Sequence, residues 1–444
     1  MAAIATAPGR GGIGVIRVSG HTASDIARGI LGRVPAPRHA AFSRFLSSDD
    51  STLDHGIALW FEGPASYTGE DVLELHGHGG TAVLQSVLTR CFELGARPAR
   101  PGEFTERAFL NDRIDLAQAE AVADLIEAST SSAARSAMRS LDGEFSRHIH
   151  TLEETLLNLR MFVEATLDFP EEDVEFLEQA GARNKLADVM QALAALRERA
   201  RCGVVLREGL TVVLAGAPNV GKSSLLNVLA GEDRAIVTDI AGTTRDTLKE
   251  LIAIDGVPLH VIDTAGLRET DDPVELAGIA RTRRELERAH AVLHLIDSRD
   301  GFDDAARAID AALPSGLKRI RVYNKIDLTG EAASAEVQDG IASIRMSLRT
   351  LDGLDLLRQA LLDSVAWHGG AEDALAARSR HLHALDISVT HLETAQRCVS
   401  GDVLQLDLLA EELRLAHRAL GDVTGEFTPD DLLGEIFSRF CIGK

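Results

Sequence analysis

The residues with the plainest chemical potential are Gly216-Ala217-Pro218-Asn219-Val220-Gly221-Lys222-Ser223-Ser224, which fit G-x-x-x-x-G-K-[ST]. That spacing builds a phosphate cradle. Its glycines let backbone N–H groups turn toward phosphate oxygens, and a following helix adds the positive end of its dipole. In such a loop Lys222 reaches the β- and γ-phosphates and the Ser223 hydroxyl ligates Mg²⁺. The motif requires a strand before it and a helix behind it. Residues 210–215 are a continuous apolar, β-branched run, as a buried parallel strand should be. Leu225, Leu226, Val228 and Leu229 then have helical spacing, with no breaker before Gly231.

Four further stretches follow in the order a GTPase needs. Ala241-Gly242-Thr243-Thr244-Arg245-Asp246 is a polar loop ahead of a strand, where a threonine can sense the γ-phosphate and Mg²⁺. Two strands joined by an Asp255-Gly256 hairpin turn lead to Asp263-Thr264-Ala265-Gly266. There Asp263 would hold the Mg²⁺ shell and the Gly266 N–H the γ-phosphate. After core strands at 292–297 and 320–323 comes Asn324-Lys325-Ile326-Asp327. Its Asp327 carboxylate can accept from guanine N1–H and the 2-amino group, which adenine lacks, so GTP is selected over ATP. Ser347, Leu348 and Arg349 are placed to back the base. Leu267 occupies the position where many small GTPases carry a water-orienting glutamine, and an apolar side chain cannot polarise water. Another group, expected within 268–275, must place the attacking water. Arg245 and Arg268 are candidate arginine fingers by proximity alone.

The elements that position these residues belong to a longer design. With 444 residues, about three domains are expected. Residues 1–113 mix strands (13–18, 58–61, 72–75) with helices (21–31, 81–93), an α/β or α+β module. Within it Glu74 alternates with Leu73 and Leu75, and spacing alone favours solvent exposure. His76 and His78 lack a third ligand at a telling distance. Residues 114–208 are helical, with Leu152, Leu156, Leu159 and Val163 forming one apolar stripe. The acidic run at 168–175 reads more readily as a helix start than as a cation site. Residues 209–368 hold the nucleotide module, and 369–444 are helical again, so the module is expected to be inserted in a discontinuous helical domain.

Composition sets limits. Net charge is −22, which disfavours unassisted binding to a phosphate backbone. No apolar run is long enough to span a bilayer, and residues 1–10 lack the pattern of a secretory signal. The cysteines Cys91, Cys202, Cys398 and Cys441 are scattered without metal spacing, which fits a reducing cytoplasm. Cys441-Ile442-Gly443-Lys444 mimics a prenylation box only formally; a buried structural thiol is the ordinary alternative for Cys441.

Beyond the GTPase motifs the chain carries Pro8-Gly9-Arg10-Gly11-Gly12, Gly69-Glu70-Asp71-Val72-Leu73-Glu74, Arg100-Pro101-Gly102-Glu103-Phe104, Gly425-Glu426-Phe427 and Phe440-Cys441-Ile442-Gly443-Lys444. With these it resembles, over nearly its whole length, the MnmE (TrmE) family of tRNA-modification GTPases. The resemblance implies a multidomain α/β plus α protein: an N-terminal folate-binding domain that dimerises, a helical domain and an inserted Ras-like P-loop GTPase domain. It implies a homodimer acting as a heterotetramer with the flavoprotein MnmG, which alone brings FAD, to modify C5 of wobble uridine in tRNA bound by both proteins. The one-carbon unit comes from a tetrahydrofolate derivative (5-formyl or 5,10-methylene). In the family a potassium ion replaces the arginine finger. Carried over, Asn219, Thr238, Ile240 and Thr243 hold potassium, and Ser223 and Thr244 hold Mg²⁺. Glu275 orients water, and Val220, Gly221, Ser224, Asp239, Ala241, Gly242, Thr264 and Ala265 complete the GTP site. Arg17, Glu74, Arg113 and Lys444 take the folate positions, although Arg113 stands where lysine is usual and Leu348 where alanine is. Cys441 falls near the folate and tRNA chemistry. A reading of another class is a GTP-switched binding scaffold, such as a ribosome-assembly GTPase.

Overall fold

The computed structural model describes residues 1–168, 181–232, 250–263, 289–313, 317–367, 373–400, 405–426, 430–438 and 440–443. Its contacts divide the chain into two compact units, one of residues 1–123, 140–190 and 384–444 and the other of residues 124–139 and 191–383.

In the first unit the described strands form a sheet in the order β1(Ala2–Ile4), β2(Gly14–Ser19), β5(Val72–Gly77), β4(Thr52–Phe61), β3(Ala41–Leu46), every neighbour antiparallel. Of the two possibilities left open by the sequence, this module is therefore α+β. The helices α1(Ala23–Leu31) and α2(Thr81–Glu93) cover one face of it. Ile26, Ile30, Val87 and Leu88 meet Ile16, Val18, Leu73 and Leu75 in a shared core. The short α3(Glu103–Leu110) and α4(Leu116–Glu127) follow; after α5(Ser131–Leu141), most of which belongs to the second unit, comes the long α6(Glu144–Asp168). The apolar stripe of α6 is real: Leu152, Leu156, Leu159 and Val163 are all buried. They face α13(Leu406–Thr424), whose Leu409, Leu413, Ala416 and Leu420 are buried in turn. The chain then runs through α14(Asp430–Ser438) to its tail.

Glu103 opens α3 and is 2 % exposed. It accepts from Arg97, from the Arg100 N–H at 2.8 Å and from Arg107 at 3.0 Å. Burial alone would raise its carboxyl, but these hydrogen bonds outweigh burial and hold it down at about 2. A folded-state value below the unfolded one stabilises the fold above the unfolded pKa and is lost as pH falls toward the folded one. Glu103→Gln should therefore melt below wild type at neutral pH, and the gap should close as pH drops below 4.5 toward 2. A gap that ignores pH would show that the carboxylate's charge is not what stabilises this corner.

In the second unit the described strands run β11(Ser334–Gln338), β12(Ile341–Arg345), β10(Lys318–Asn324), β9(Ala291–Asp297), β6(Leu210–Gly216), β8(Val257–Asp263), β7(Glu250–Ile254). The interior pairs are parallel, and the two outermost strands join antiparallel. Parallel strands covered on both faces should be apolar throughout, and every residue of β9 is buried. The helices are α7(Ala182–Glu208), which begins in the first unit, α8(Lys222–Glu232), α9(Asp304–Ala312), α10(Ile326–Thr329), α11(Leu354–Ser364) and α12(Ser379–Ser400), which ends in the first unit. α8 runs on past Gly231, the breaker that the sequence offered, because Leu225 and Leu229 are already buried in the core and hold the turn. Most of α5 belongs to this unit: Thr130, just ahead of it, and Ser136 donate to the carbonyls of Gly256 and Ala374. Cys202 and Leu206 of α7 enter the same core as β6.

Candidate functional site

β6 delivers the chain to Gly216 at a φ of 148°, and a Cβ there would meet the Leu295 carbonyl at 2.5 Å. Only glycine makes that turn. Asn219 takes a φ of 63°, which asparagine tolerates, and α8 begins at Lys222. The strand, loop and helix that the motif requires are all present. Lys222 Nζ donates to the Gly216 and Ala217 carbonyls at 2.8 and 3.0 Å, so the ammonium is held over the loop where phosphates would replace those carbonyls. Val220 is buried, and Ser223 and Ser224 are exposed at the helix start. The exposed side chain of Asn219 has no hydrogen bond to a described residue, which leaves its oxygen available to a cation.

Two residues of the 324–327 loop brace this cradle. Asn324 is 3 % exposed; its amide donates to the Val220 carbonyl at 2.8 Å and accepts from the Leu348 N–H at 3.1 Å. Lys325 Nζ donates to the Asn219 carbonyl at 2.9 Å and to Asp297 Oδ2 at 2.7 Å. Asp327 lies beyond them with its Oδ1 accepting from Ser347 Oγ at 2.8 Å and its Oδ2 3.6 Å from Arg349. The Ser347 hydroxyl thus fixes the plane of the carboxylate assigned to the base. Asp297 is the residue that sequence reasoning missed. It read only as the end of a core strand, yet it is 6 % exposed and joins Lys325 to Arg299. Those hydrogen bonds, Arg299 first, hold its carboxyl far below the usual range. An acid closing an apolar strand was the available signal.

Asp263 ends β8 opposite Leu214, at the same edge of the sheet as Gly216. Thr238, Asp239, Ile240, Ala241, Gly242, Thr243, Thr244, Thr264, Ala265, Gly266, Leu267 and Glu275 lie outside the described residues, as do Lys444 and most of the acidic run at 168–175.

In the first unit, Arg17 of β2 stands directly opposite Glu74 of β5. Its Nε and Nη2 both lie 2.9 Å from Glu74 Oε1, while His76 Nε2 is 3.2 Å from Oε2. The guanidinium sits 5.6 Å from the ring centres of both Tyr67 and Phe104. Glu74 is not solvent-exposed as its spacing suggested, its side chain being only 15 % accessible. Alternation fixes which residues share a face but not what covers it, and here Arg17 and the two rings do. The Tyr67 hydroxyl pairs with Thr105 at 2.9 Å, and burial raises its pKa. Arg113 is exposed beyond α3, its Cγ 3.5 Å from where a Cβ on Gly69 would stand. The structure unites Arg17 and Glu74 and leaves Arg113 outside that pair. His78 bonds Asp54 at 2.7 Å, so the two nearby histidines have separate carboxylate partners.

Cys441 is exposed, against the buried structural thiol of the ordinary reading, whereas Cys91, Cys202 and Cys398 are buried. Burial pushes the Cys91 thiol up to about 12. The Cys441 carbonyl accepts from the Gly102 N–H at 3.3 Å and Ile442 bridges Pro101, which seats the tail on the loop before α3.

The profile described as GTP-binding protein TrmE N-terminus matches residues 1–113, and that of the MnmE helical domain matches residues 116–441. The tRNA modification GTPase MnmE of Azoarcus sp. (strain BH72) is 59 % identical over 445 residues, covering 100 % of this chain and 98 % of that protein. The protein of the same description from Dechloromonas aromatica (strain RCB) is 58 % identical over 444 residues, covering 100 % and 99 %. The chain belongs to the MnmE family. The chain is also similar to the G domain of the T. maritima FeoB iron transporter, at 24 % identity over 35 % of this chain and 98 % of that one, with a TM-score of 0.26. The match at residues 1–113 spans the first sheet, and the helical-domain match at residues 116–441 brackets the second.

Proposed function

We infer that this chain is a potassium-dependent GTP hydrolase. With an MnmG-type flavoprotein, it installs a (carboxymethyl)aminomethyl group at C5 of wobble uridine in tRNA, using a tetrahydrofolate one-carbon unit. The observation that carries the reading is full-length identity of up to 59 % to proteins described as tRNA modification GTPases. The brace joining the phosphate loop to the 324–327 loop supports it.

The chain's own groups divide the work as follows. Lys222 and the backbone of 219–224 bind and orient the phosphates, and the Asp327 carboxylate chooses guanine. Ser223, a hydroxyl at the start of α8, fits Mg²⁺ with Thr244, and the free amide oxygen of Asn219 fits potassium with Thr238, Ile240 and Thr243. Bound there, the two ions would supply positive charge where negative charge develops on the phosphates. Glu275 accepts the proton-bearing side of the attacking water, filling the role that Leu267 cannot. In the first unit the Arg17–Glu74 pair, flanked by Tyr67 and Phe104, offers a planar charge-paired surface to a pterin, with Arg113 and Lys444 completing the folate set. Cys441 on its docked tail stands near that chemistry. The acidic surface fits tRNA held jointly by a homodimer and its partner, in the cytoplasm.

Nucleoside analysis of tRNA from a strain lacking this chain tests the modification role. The C5-modified uridines should disappear and return with the wild-type chain; normal levels in the deletion strain would leave the GTP-switched scaffold as the better reading. For hydrolysis, Glu275→Ala should reduce kcat by about 10²-fold or more with little change in nucleotide affinity. Wild type should turn over faster in KCl than in NaCl. Equal rates for both proteins in both salts would remove the glutamate and potassium roles together.

A further inference from the structure

Among the described residues, one group of potential metal ligands stands apart from the nucleotide and folate-type sites: His150, Glu153 and Glu426. His150 and Glu153 are three residues apart on α6, so they project from one face of that helix. Glu426 arrives from the far end of the chain. α13 stops at Thr424, and Gly425 turns the backbone at a φ of 95°. The Gly425 and Glu426 N–H groups both donate to the Gly421 carbonyl at 3.0 Å. A Cβ on Gly425 would press on Leu116 Cβ at 2.9 Å, so the turn that aims Glu426 at α6 needs glycine.

The ligand atoms of the three side chains lie within 4.8 Å of one another. Glu153 is the decisive member. It is 6 % exposed, it flanks the Leu152–Leu156 stripe, and its Oε1 has no hydrogen-bond partner. Burial, and then the charge of Glu426, push its carboxyl up to about 7. An unpartnered carboxyl facing a second carboxylate is costly in such a setting. A divalent cation would satisfy all three groups at once.

We propose that His150, Glu153 and Glu426 form a Zn²⁺ site that clips the end of α13 to α6. The imidazole nitrogen disfavours Mg²⁺ and Ca²⁺, which take oxygen ligands, and one nitrogen with two carboxylate oxygens suits Zn²⁺ with water in the fourth position. His150 and Glu426 are exposed, which gives the ion a path in.

The test uses the nucleotide-free full chain, treated with EDTA and carrying Cys441→Ser to remove the exposed thiol. Zn²⁺ titrated by calorimetry should bind at one equivalent per chain, and His150→Ala or Glu153→Gln should each weaken it by about tenfold or more. Zn²⁺ should also raise the melting temperature of the parent chain. Glu153→Leu separates this site from a merely protonated buried acid. It should melt above the metal-free parent, because an unpaired carboxyl is gone, and gain nothing from Zn²⁺. Equal binding by parent and variants would overturn the proposal. So would a parent whose melting ignores Zn²⁺ while Glu153→Leu stabilises it, since Glu153 would then be a buried acid without a ligand.

Discussion

Asp327→Asn is expected to weaken GTP binding by about two to four orders of magnitude and to make xanthosine triphosphate the better ligand. Two hydrogen bonds from guanine to a charged acceptor are worth roughly 1.5–3 kcal/mol each, and about 1.4 kcal/mol is tenfold in affinity. The amide keeps an oxygen to accept from Ser347 Oγ, so the loop should hold its shape. It also brings an N–H₂ donor, which clashes with the 2-amino group of guanine and matches the 2-oxo group of xanthine. Competition against a fluorescent nucleotide reads both affinities. Equal losses for the two triphosphates would mean that Asp327 supports the loop without reading the base.

Asn324→Ala should be severe for a different reason. The side chain touches no base atom in this reading; it ties the Val220 carbonyl to the Leu348 N–H inside the protein. Its loss strands the buried Val220 carbonyl at about 1–3 kcal/mol and leaves the half-buried Leu348 N–H without its acceptor. We expect a lower melting temperature and GTP and xanthosine triphosphate affinities that fall by the same factor, the opposite of the Asp327→Asn pattern. Gly221→Ala attacks the same contact from the other side. Its Cβ would stand 2.5 Å from the Asn324 amide nitrogen, at a φ of 113° that alanine avoids. The double variant removes the clash, so its effect should be smaller than the sum of the two single effects. Strict additivity, measured as melting temperature and GTP affinity, would show that the two residues do not share this strut.

These contacts mark where sequence stops being informative. The phosphate loop was readable because its parts are contiguous: an apolar strand, glycines at fixed offsets and a helical repeat. Local periodicities gave a mixed first module and helical stretches on either side of the nucleotide module, and the resemblance to the family supplied the rest of the fold class. Asn324, Lys325 and Asp327 were readable as a base-reading motif, but nothing in their spacing said that two of them hold the phosphate loop from behind. That depends on β10 lying two strands from β6 in the sheet. Glu74 failed for a related reason. Its partner Arg17 is set by the register of β2 on β5, which alternation along one strand cannot supply. Glu153 sits beside a stripe that reads as core, and its companion Glu426 is brought to it only by the pairing of α6 with α13.

The strand order of the second sheet also sets a timetable for the growing chain. β6 leaves the ribosome with Val212, Val213 and Leu214 ready to be buried, yet neither of its neighbours has been made. β8 follows roughly forty residues later, and β9 about as far again, so at about 5–20 residues per second β6 stays bare for several seconds. A parallel strand has no hairpin partner to shelter it meanwhile. Slower synthesis at low temperature, or a chaperone that covers short apolar segments, should therefore decide how much of this chain is recovered in soluble form.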